Sequence, residues 1–241
     1  MRIRRGLFFT LLALAGVILL FEFTPLDFWV ADHFYDAASG KWLVKHAGQP
    51  KQIFYKTPLL LLKISGFVIF AVLLIPHRWL APRWRLPKRA LAVGLLSLVL
   101  IPSLVASLKR WTGMYCPQQL VRYGGKQPEL HLFERAPEGC CAVRGRCWPA
   151  GHASGGFALM SLCALGRTRR QKFLGVAAGL AAGWIMGGYH MMDGNHFLSH
   201  TLITMLLAWA MILVFFAVLK PFSPAATEPA PRGREPIRKV L

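Results

Sequence analysis

Acidic residues are scarce in this chain, with 10 Asp and Glu against 29 Lys and Arg among 241 residues. Charged residues of both signs make up only 16% of the sequence, whereas soluble globular domains usually carry about 25%. This shortage of charge excludes an ordinary soluble domain. The excess of basic residues gives a formal net charge of +19, which needs a separate explanation.

Apolar residues make up 55% of the chain and occur in long blocks. A membrane helix needs roughly 20 mostly apolar residues, and three of the blocks reach about that length alone, while the others need flanking polar residues. We therefore predict an all-α polytopic membrane protein with six transmembrane helices, centred on Leu7–Phe21, Pro58–Ile75, Ala90–Leu108, Ala153–Leu165, Phe173–Met186 and Phe197–Leu219.

The first apolar block lacks the small-residue cleavage site of a signal peptide. It follows the basic leader Met1–Arg5 and ends in the bulky sequence Phe21–Pro25. We therefore expect a retained membrane anchor. The six-helix domain then extends over residues 1–222, and the Pro-, Ala-, Arg- and Glu-rich residues 223–241 form a basic tail predicted to be disordered.

The basic residues are grouped at the two termini and in two of the predicted loops. Short basic loops stay in the cytoplasm, so this grouping places both termini in the cytoplasm and accounts for the positive charge without a nucleic-acid partner. The clusters are Arg2–Arg5, His77–Arg89, Arg167–Lys172, and Lys220 followed by Arg232–Lys239.

Cysteines are concentrated in the predicted outer loop, residues 110–149, which contains Cys116, Cys140, Cys141 and Cys147. An outward-facing loop lies where disulfides persist. Because Cys140 and Cys141 are adjacent, we expect them to bond to Cys116 and Cys147. The absence of a CxxC repeat argues against a zinc knuckle.

The other outer segment, Thr24–Thr57, mixes aromatic and acidic residues. This composition is typical of a helix lying in the headgroup region of a bilayer.

Polar residues suited to phosphate chemistry collect at the outer ends of the predicted spans. The Pro149-Ala-Gly-His152 sequence precedes a helix, whose N-terminal N–H groups attract anions, and Lys109 adds a cation. His152 and His196 supply a nucleophile and a proton donor. His200 is four residues after His196 and can orient it, as the third group of a triad does.

These residues resemble the three motifs of the type 2 phosphatidic-acid phosphatase superfamily, which read KxxxxxxRP, PSGH and SRxxxxxHxxxD. Here the corresponding sequences begin at Lys109, Pro149 and Tyr189 and cover roughly the C-terminal half. The resemblance implies catalytic residues and a phosphate-binding set but no cofactor and no metal. The catalytic residues would be His196 as the nucleophile that forms a phosphohistidine, His152 as the general acid, and His200; the phosphate-binding set would be Lys109, Ala150, Gly151 and His190.

Three positions depart from the family motifs. Cys116 and His190 replace the two phosphate-clamping arginines, and His200 replaces the orienting Asp. The ending Phe197-Leu-Ser-His200 resembles a bacterial branch in which His stands in for that Asp. A guanidinium is not replaced in kind by imidazole, so the loop residues Arg122, Arg144 and Arg146 become candidates to compensate.

The resemblance implies metal-independent hydrolysis of a lipid phosphate or diphosphate at the periplasmic face of the inner membrane. By resemblance, candidate substrates are undecaprenyl diphosphate, phosphatidylglycerol phosphate, phosphatidic acid and lipid A phosphates. One alternative is a lipid phosphotransferase that uses the same site, and another is a catalytically weak or dead member that acts as a lipid-binding or regulatory protein. A metal site is a further alternative, with ligands drawn from His152, His190, Asp193, His196 and His200.

Overall fold

The computed structural model describes residues 2–46, 57–76, 79, 86–134 and 145–219. The described part is mostly helical, as the sequence predicts. Its α-helices are α1 (Arg2–Glu22), α2 (Leu26–Asp32), α3 (Leu43–His46), α4 (Thr57–Leu74), α5 (Lys88–Thr112), α6 (Gly151–Ala158), α7 (Arg169–Met192) and α8 (Leu198–Val218). Cys140, Cys141, Arg144, the 223–241 tail and most of the 77–89 basic cluster lie outside the described residues.

Three helical stretches in the described part are long and apolar enough to cross a membrane. They are Ile3–Glu22 in α1, Lys88–Gln119, which consists of α5 and the short turn after it, and Leu198–Val218, which is α8. Two shorter apolar helices, Leu60–Leu74 and Gly151–Leu165, accompany them. Large apolar side chains on α1 and α4 face outward; Phe8 is 63% exposed and Phe67 is 73% exposed. An exposed apolar surface of this kind suits lipid instead of water.

Glycines on one face of α7 bring it into close contact with α6 and its 3-10 continuation, Leu159–Leu165. A Cβ added at Gly156 would lie 2.6 Å from the backbone nitrogen of Gly183, and one at Gly179 would lie 2.1 Å from that of Met160. Small residues permit such backbone contact in membrane helices. This packing fixes α6 against the helix that leads to the third motif.

α8 packs beside α1, α5 and α6 around a core that includes Phe157, Ile101 and Ile212. At its C-terminal end, Arg89 of α5 donates to the carbonyl oxygens of Phe216 (2.7 Å) and Leu219. A cation that satisfies terminal carbonyls stabilises a helix end. The two helices are therefore joined at the end opposite the motif residues.

The outer part is not entirely helical, so the all-α prediction needs a correction. Strands β1 (Tyr35–Asp36) and β2 (Lys41–Trp42) form an antiparallel hairpin between α2 and α3. Gly40 permits the turn with φ of 66°. Instead of lying only against a bilayer, this segment packs into the outer loop: Trp42 is 2% exposed and belongs to an apolar cluster with Tyr115, Leu120, Tyr123 and Phe197.

Candidate active site

The N-terminus of α6 and the side chain of Lys109 form the cationic side of the site. α6 begins at Gly151, directly after the Pro149-Ala150 segment. A Cβ added at Gly151 would lie 3.0 Å from both Cε and Nζ of Lys109. The lysine tip therefore lies against the first turn of the helix, where free backbone N–H groups also attract negative charge. The absence of a side chain at Gly151 makes room for it.

Four predicted histidines meet beside this cationic region. The rings of His152 and His190 stack with centroids 4.2 Å apart. His196 lies 6.2 Å from His152 and 5.8 Å from His190 between ring centroids, and 5.7 Å from His200. His190, His196 and His200 are no more than 3% exposed. Each ring comes from a different part of the chain: α6, α7, the connection after α7, and α8.

The connection between α7 and α8 holds two of these rings in place. Gly194 takes a φ of 72°, which allows the chain to reverse, and the backbone nitrogens of Asn195 (2.8 Å) and His196 (3.2 Å) both donate to the carbonyl of His190. A Cβ at Gly194 would lie 2.2 Å from the Trp42 ring. The turn is consequently fixed both by its own hydrogen bonds and by the hairpin above it.

Asn195 is a site residue that the sequence reasoning missed. Its Oδ1 accepts a hydrogen bond from Nε2 of Gln118 (2.8 Å), so its Nδ2 faces Nδ1 of His190 at 3.3 Å. A ring nitrogen that accepts from an amide carries no proton in the neutral tautomer, so the proton of neutral His190 lies on Nε2. The available sequence signal was an uncharged amide next to His196 inside the third motif.

His196 is buried with its ring in the neutral form. Burial, and then the neighbouring charge of Lys109, hold the pKa of His196 well below its usual range. Its Nε2 has no hydrogen-bond partner among the described residues, and the same is true of Nδ1 of His200. A neutral imidazole nitrogen with a free lone pair is what nucleophilic attack requires.

The two rings of His196 and His200 meet edge to face at an interplanar angle of 61°. Within the described residues, Nδ1 of His196 instead faces the sulfur of Cys147 at 3.5 Å. The orienting role of His200 stays a prediction.

The predicted pairing of the loop cysteines was wrong. Cys116 and Cys147 bond to each other, with Cα atoms 5.1 Å apart. Cys116 follows α5 and Cys147 precedes α6, and these two helices pack side by side, so the ends of the loop meet. The adjacency of Cys140 and Cys141 carried no information about this contact. The bridge places sulfur where the family motif has its first arginine.

The first outer segment is attached to α8 beside the histidines. Asp27 of α2 accepts hydrogen bonds from the backbone nitrogen of Ser199 (2.8 Å) and from its hydroxyl. α8 has no side-chain cap from its own N-cap residue, Phe197, so Asp27 satisfies this terminus from a distant part of the chain. Burial raises the pKa of Asp27 to about 6 despite these two bonds.

The candidate compensating arginines do not all reach the site. Arg122 pairs with Asp32 at 2.8 Å, and the same carboxylate accepts from the Tyr123 hydroxyl at 2.8 Å. This pair lowers the pKa of Asp32 and commits the guanidinium to the outer segment. Arg146 is exposed, and Arg144 lies outside the described residues. Lys109 is therefore the cation that the described residues place against the α6 N-terminus.

The residues that could bind a metal differ from those predicted from the sequence. Within the described part, the group whose ligand atoms approach one another is Cys147, His196 and His200, with all of them within 4.8 Å. Asp193 and His190 are not members of that group. In the disulfide form, the Cys147 sulfur is not available as a thiolate ligand.

Comparison with known proteins identifies one family. The model of the PAP2 superfamily matches residues 88–223, which is more than half of the chain and includes all three motifs. No curated protein and no solved structure matches the chain.

Proposed function

The chain belongs to the PAP2 superfamily, and on that premise we propose that it hydrolyses a lipid phosphate or diphosphate through a phosphohistidine. Family membership supports phosphatase chemistry in general. The observation that carries the more specific proposal is the meeting of His152 and His196 beside the Lys109 amine at the N-terminus of α6.

In the first step, an imidazole nitrogen of His196 attacks phosphorus as the bond to the leaving oxygen breaks. His152 donates a proton to that oxygen, so the lipid leaves as a neutral alcohol or as a monophosphate. Lys109 and the first amides of α6, including Gly151, bind the phosphoryl oxygens as charge develops on them. The ring of His190 stacks on His152 at 4.2 Å between centroids and lies 5.8 Å from His196, and it supplies a further donor from Nε2.

In the second step, water replaces the lipid. His152 takes a proton from the water, the water oxygen attacks phosphorus, and the P–N bond to His196 breaks. The products are inorganic phosphate and the free enzyme. His200 orients His196 throughout this cycle. If a second lipid hydroxyl took the place of water, the same groups would carry out phosphotransfer.

We further propose that six spans place this site at the outer face of a bacterial inner membrane. The three long apolar helices of the described part support a membrane location. The exposed apolar surfaces of α1 and α4 suit contact with lipid tails, and the basic clusters support cytoplasmic termini. A lipid substrate then reaches the histidines from the bilayer in which the protein is embedded.

The test is phosphate release by the purified, detergent-solubilised protein across a panel of lipid phosphates and diphosphates. We expect release that persists with chelator and falls at least about 1,000-fold in His196→Ala, since removal of a covalent nucleophile leaves only binding effects. Acid-labile, base-stable labelling of the wild type by radioactive substrate would identify the phosphohistidine.

Arg122→Ala is the matched control, because Arg122 is a charged residue that pairs away from the histidines. No release from folded wild-type protein would refute the hydrolase and favour a lipid-binding or regulatory role. Release that chelator abolishes would refute the metal-independent mechanism.

A further inference from the structure

The disulfide places a sulfur atom directly against the proposed nucleophile. Cys147 is fully buried, and its Sγ lies 3.5 Å from Nδ1 of His196. The other half of the bridge, Cys116, is the residue that stands at the position of a family arginine. The bridge thus puts an uncharged group where the family motif has a cation.

The same sulfur and two ring nitrogens have the spacing of metal ligands. The ligand atoms of Cys147, His196 and His200 lie within 4.8 Å of one another, and the three side chains are 0%, 3% and 1% exposed. Zinc bonds of about 2.3 Å to sulfur and about 2.0 Å to nitrogen, at a tetrahedral angle, separate the two ligand atoms by about 3.5 Å. The distance from Cys147 to His196 already has this value.

One further observation points to a ligand at this position. Nδ1 of His200 is buried and has no hydrogen-bond partner within the described residues. Burial of unsatisfied polar atoms is costly, and a bound ion removes that cost for any ring nitrogen that ligates it. What prevents metal binding in the structure is the disulfide, because a bridged sulfur carries no negative charge.

We propose that Cys147, His196 and His200 form a zinc site that is available only when the Cys116–Cys147 bond is reduced. A dithiol reductant would convert the bridge to two thiols and itself become a cyclic disulfide. Zinc would then displace the proton of the Cys147 thiol and bind the thiolate and two neutral imidazoles. Water would complete the tetrahedral coordination.

The consequence for activity rests on the proposed function. Zinc on His196 withdraws electron density from the ring that must attack phosphorus, and zinc on His200 removes the residue that orients it. The zinc-bound protein is therefore inactive. The disulfide keeps the site free of metal, so oxidation protects the histidines while reduction makes the enzyme sensitive to zinc.

The metal-binding test does not depend on activity. Cys116→Ser frees the Cys147 thiol without reductant, and the double variant Cys116→Ser/Cys147→Ser removes the ligand while leaving every other cysteine unchanged. We expect Cys116→Ser to bind one additional equivalent of zinc relative to the double variant, at least ~100-fold more tightly than any site retained there, since loss of even an indirect partner costs about 10- to 100-fold.

Cobalt(II) provides the spectroscopic readout. A thiolate-to-cobalt charge-transfer band is expected in Cys116→Ser and not in the double variant or in the oxidised wild type. If Cys116→Ser does not fold, the wild type reduced with a phosphine is measured in its place, with Cys147→Ser as the control. Equal zinc binding in the paired proteins, or no sulfur-to-cobalt band, would overturn the proposal.

The activity test is separate. Equimolar zinc should inhibit Cys116→Ser and the reduced wild type, chelator should reverse the inhibition, and the oxidised wild type should be resistant. Zinc binding with the expected sulfur band but without any hydrolysis in zinc-free protein would refute the proposed phosphatase function while leaving the metal site intact. Binding without inhibition would overturn the regulatory part of the inference.

Discussion

Gly151→Ala tests whether the Lys109 amine must lie against the first turn of α6. The new methyl group would lie 3.0 Å from Cε and Nζ of Lys109, which is closer than an ordinary contact. Because the obstructed atoms are at the end of a flexible side chain, the lysine moves while the helix stays folded. The substitution therefore displaces one cation from the phosphate region without removing any charge from the protein.

The expected loss of kcat/KM follows from the interaction between Lys109 and the phosphate that is lost. A hydrogen bond to a charged group contributes about 1.5–3 kcal/mol, and each 1.4 kcal/mol corresponds to about tenfold. We expect kcat/KM for the lipid phosphate to fall about 10- to 150-fold in Lys109→Met, and by part of that range in Gly151→Ala. The assay is steady-state phosphate release, with thermal unfolding in detergent to confirm that the variants fold.

A double-mutant cycle tests whether Gly151→Ala acts through Lys109. If Gly151→Ala acts through the lysine, the double variant Gly151→Ala/Lys109→Met should be no slower than Lys109→Met alone, because the two changes remove the same interaction. Gly188→Ala is the matched control, since a Cβ there meets nothing within 4 Å. Multiplicative losses in the double variant, or full activity in Lys109→Met, would refute the assigned geometry.

Three further predictions concern the parts of the fold that support the site. Burial raises the pKa of Asp27 from 3.8 to about 6, so the protonated carboxyl contributes stability that is fully present below the unfolded pKa and is lost as the pH rises to the folded pKa. The melting temperature of the wild type relative to Asp27→Asn should therefore fall between about pH 4 and about pH 6.5 and level off at higher pH; a constant difference across this range would contradict the assignment. In Gly183→Ala, the new Cβ would lie 2.1 Å from the Phe157 ring, so we expect the free energy of unfolding to fall by about 1–3 kcal/mol. The control is Gly16→Ala, because a Cβ there meets nothing within 4 Å. Equal melting temperatures for the two variants would show that α6 and α7 can separate freely. Arg122→Ala removes an exposed ion pair, so we expect the free energy of unfolding to change by no more than about 1 kcal/mol and the activity by less than about threefold. A loss of activity as large as that of Lys109→Met would show that Arg122 binds the phosphate.

Much of the candidate site was predictable because its motifs are local. Lys109 follows an apolar block, His152 follows a helix start, and His200 is four residues after His196. Each motif is defined within a few residues, and the predicted spans bring their outer ends to one side of the membrane. The structure places the four histidines together. Their chemical roles, the six spans and the orientation remain predictions.

The sequence by itself therefore determined a mostly helical chain, its apolar blocks and the order of the family motifs, since these depend on composition and short spacing. Only the tertiary structure decided which cysteines bond, because that depends on α5 packing beside α6. It also decided that Asp27 caps a helix that begins 171 residues later and that Trp42 covers Gly194. Contacts between such distant segments arise from complementary surfaces, which leave no periodic signal along the chain.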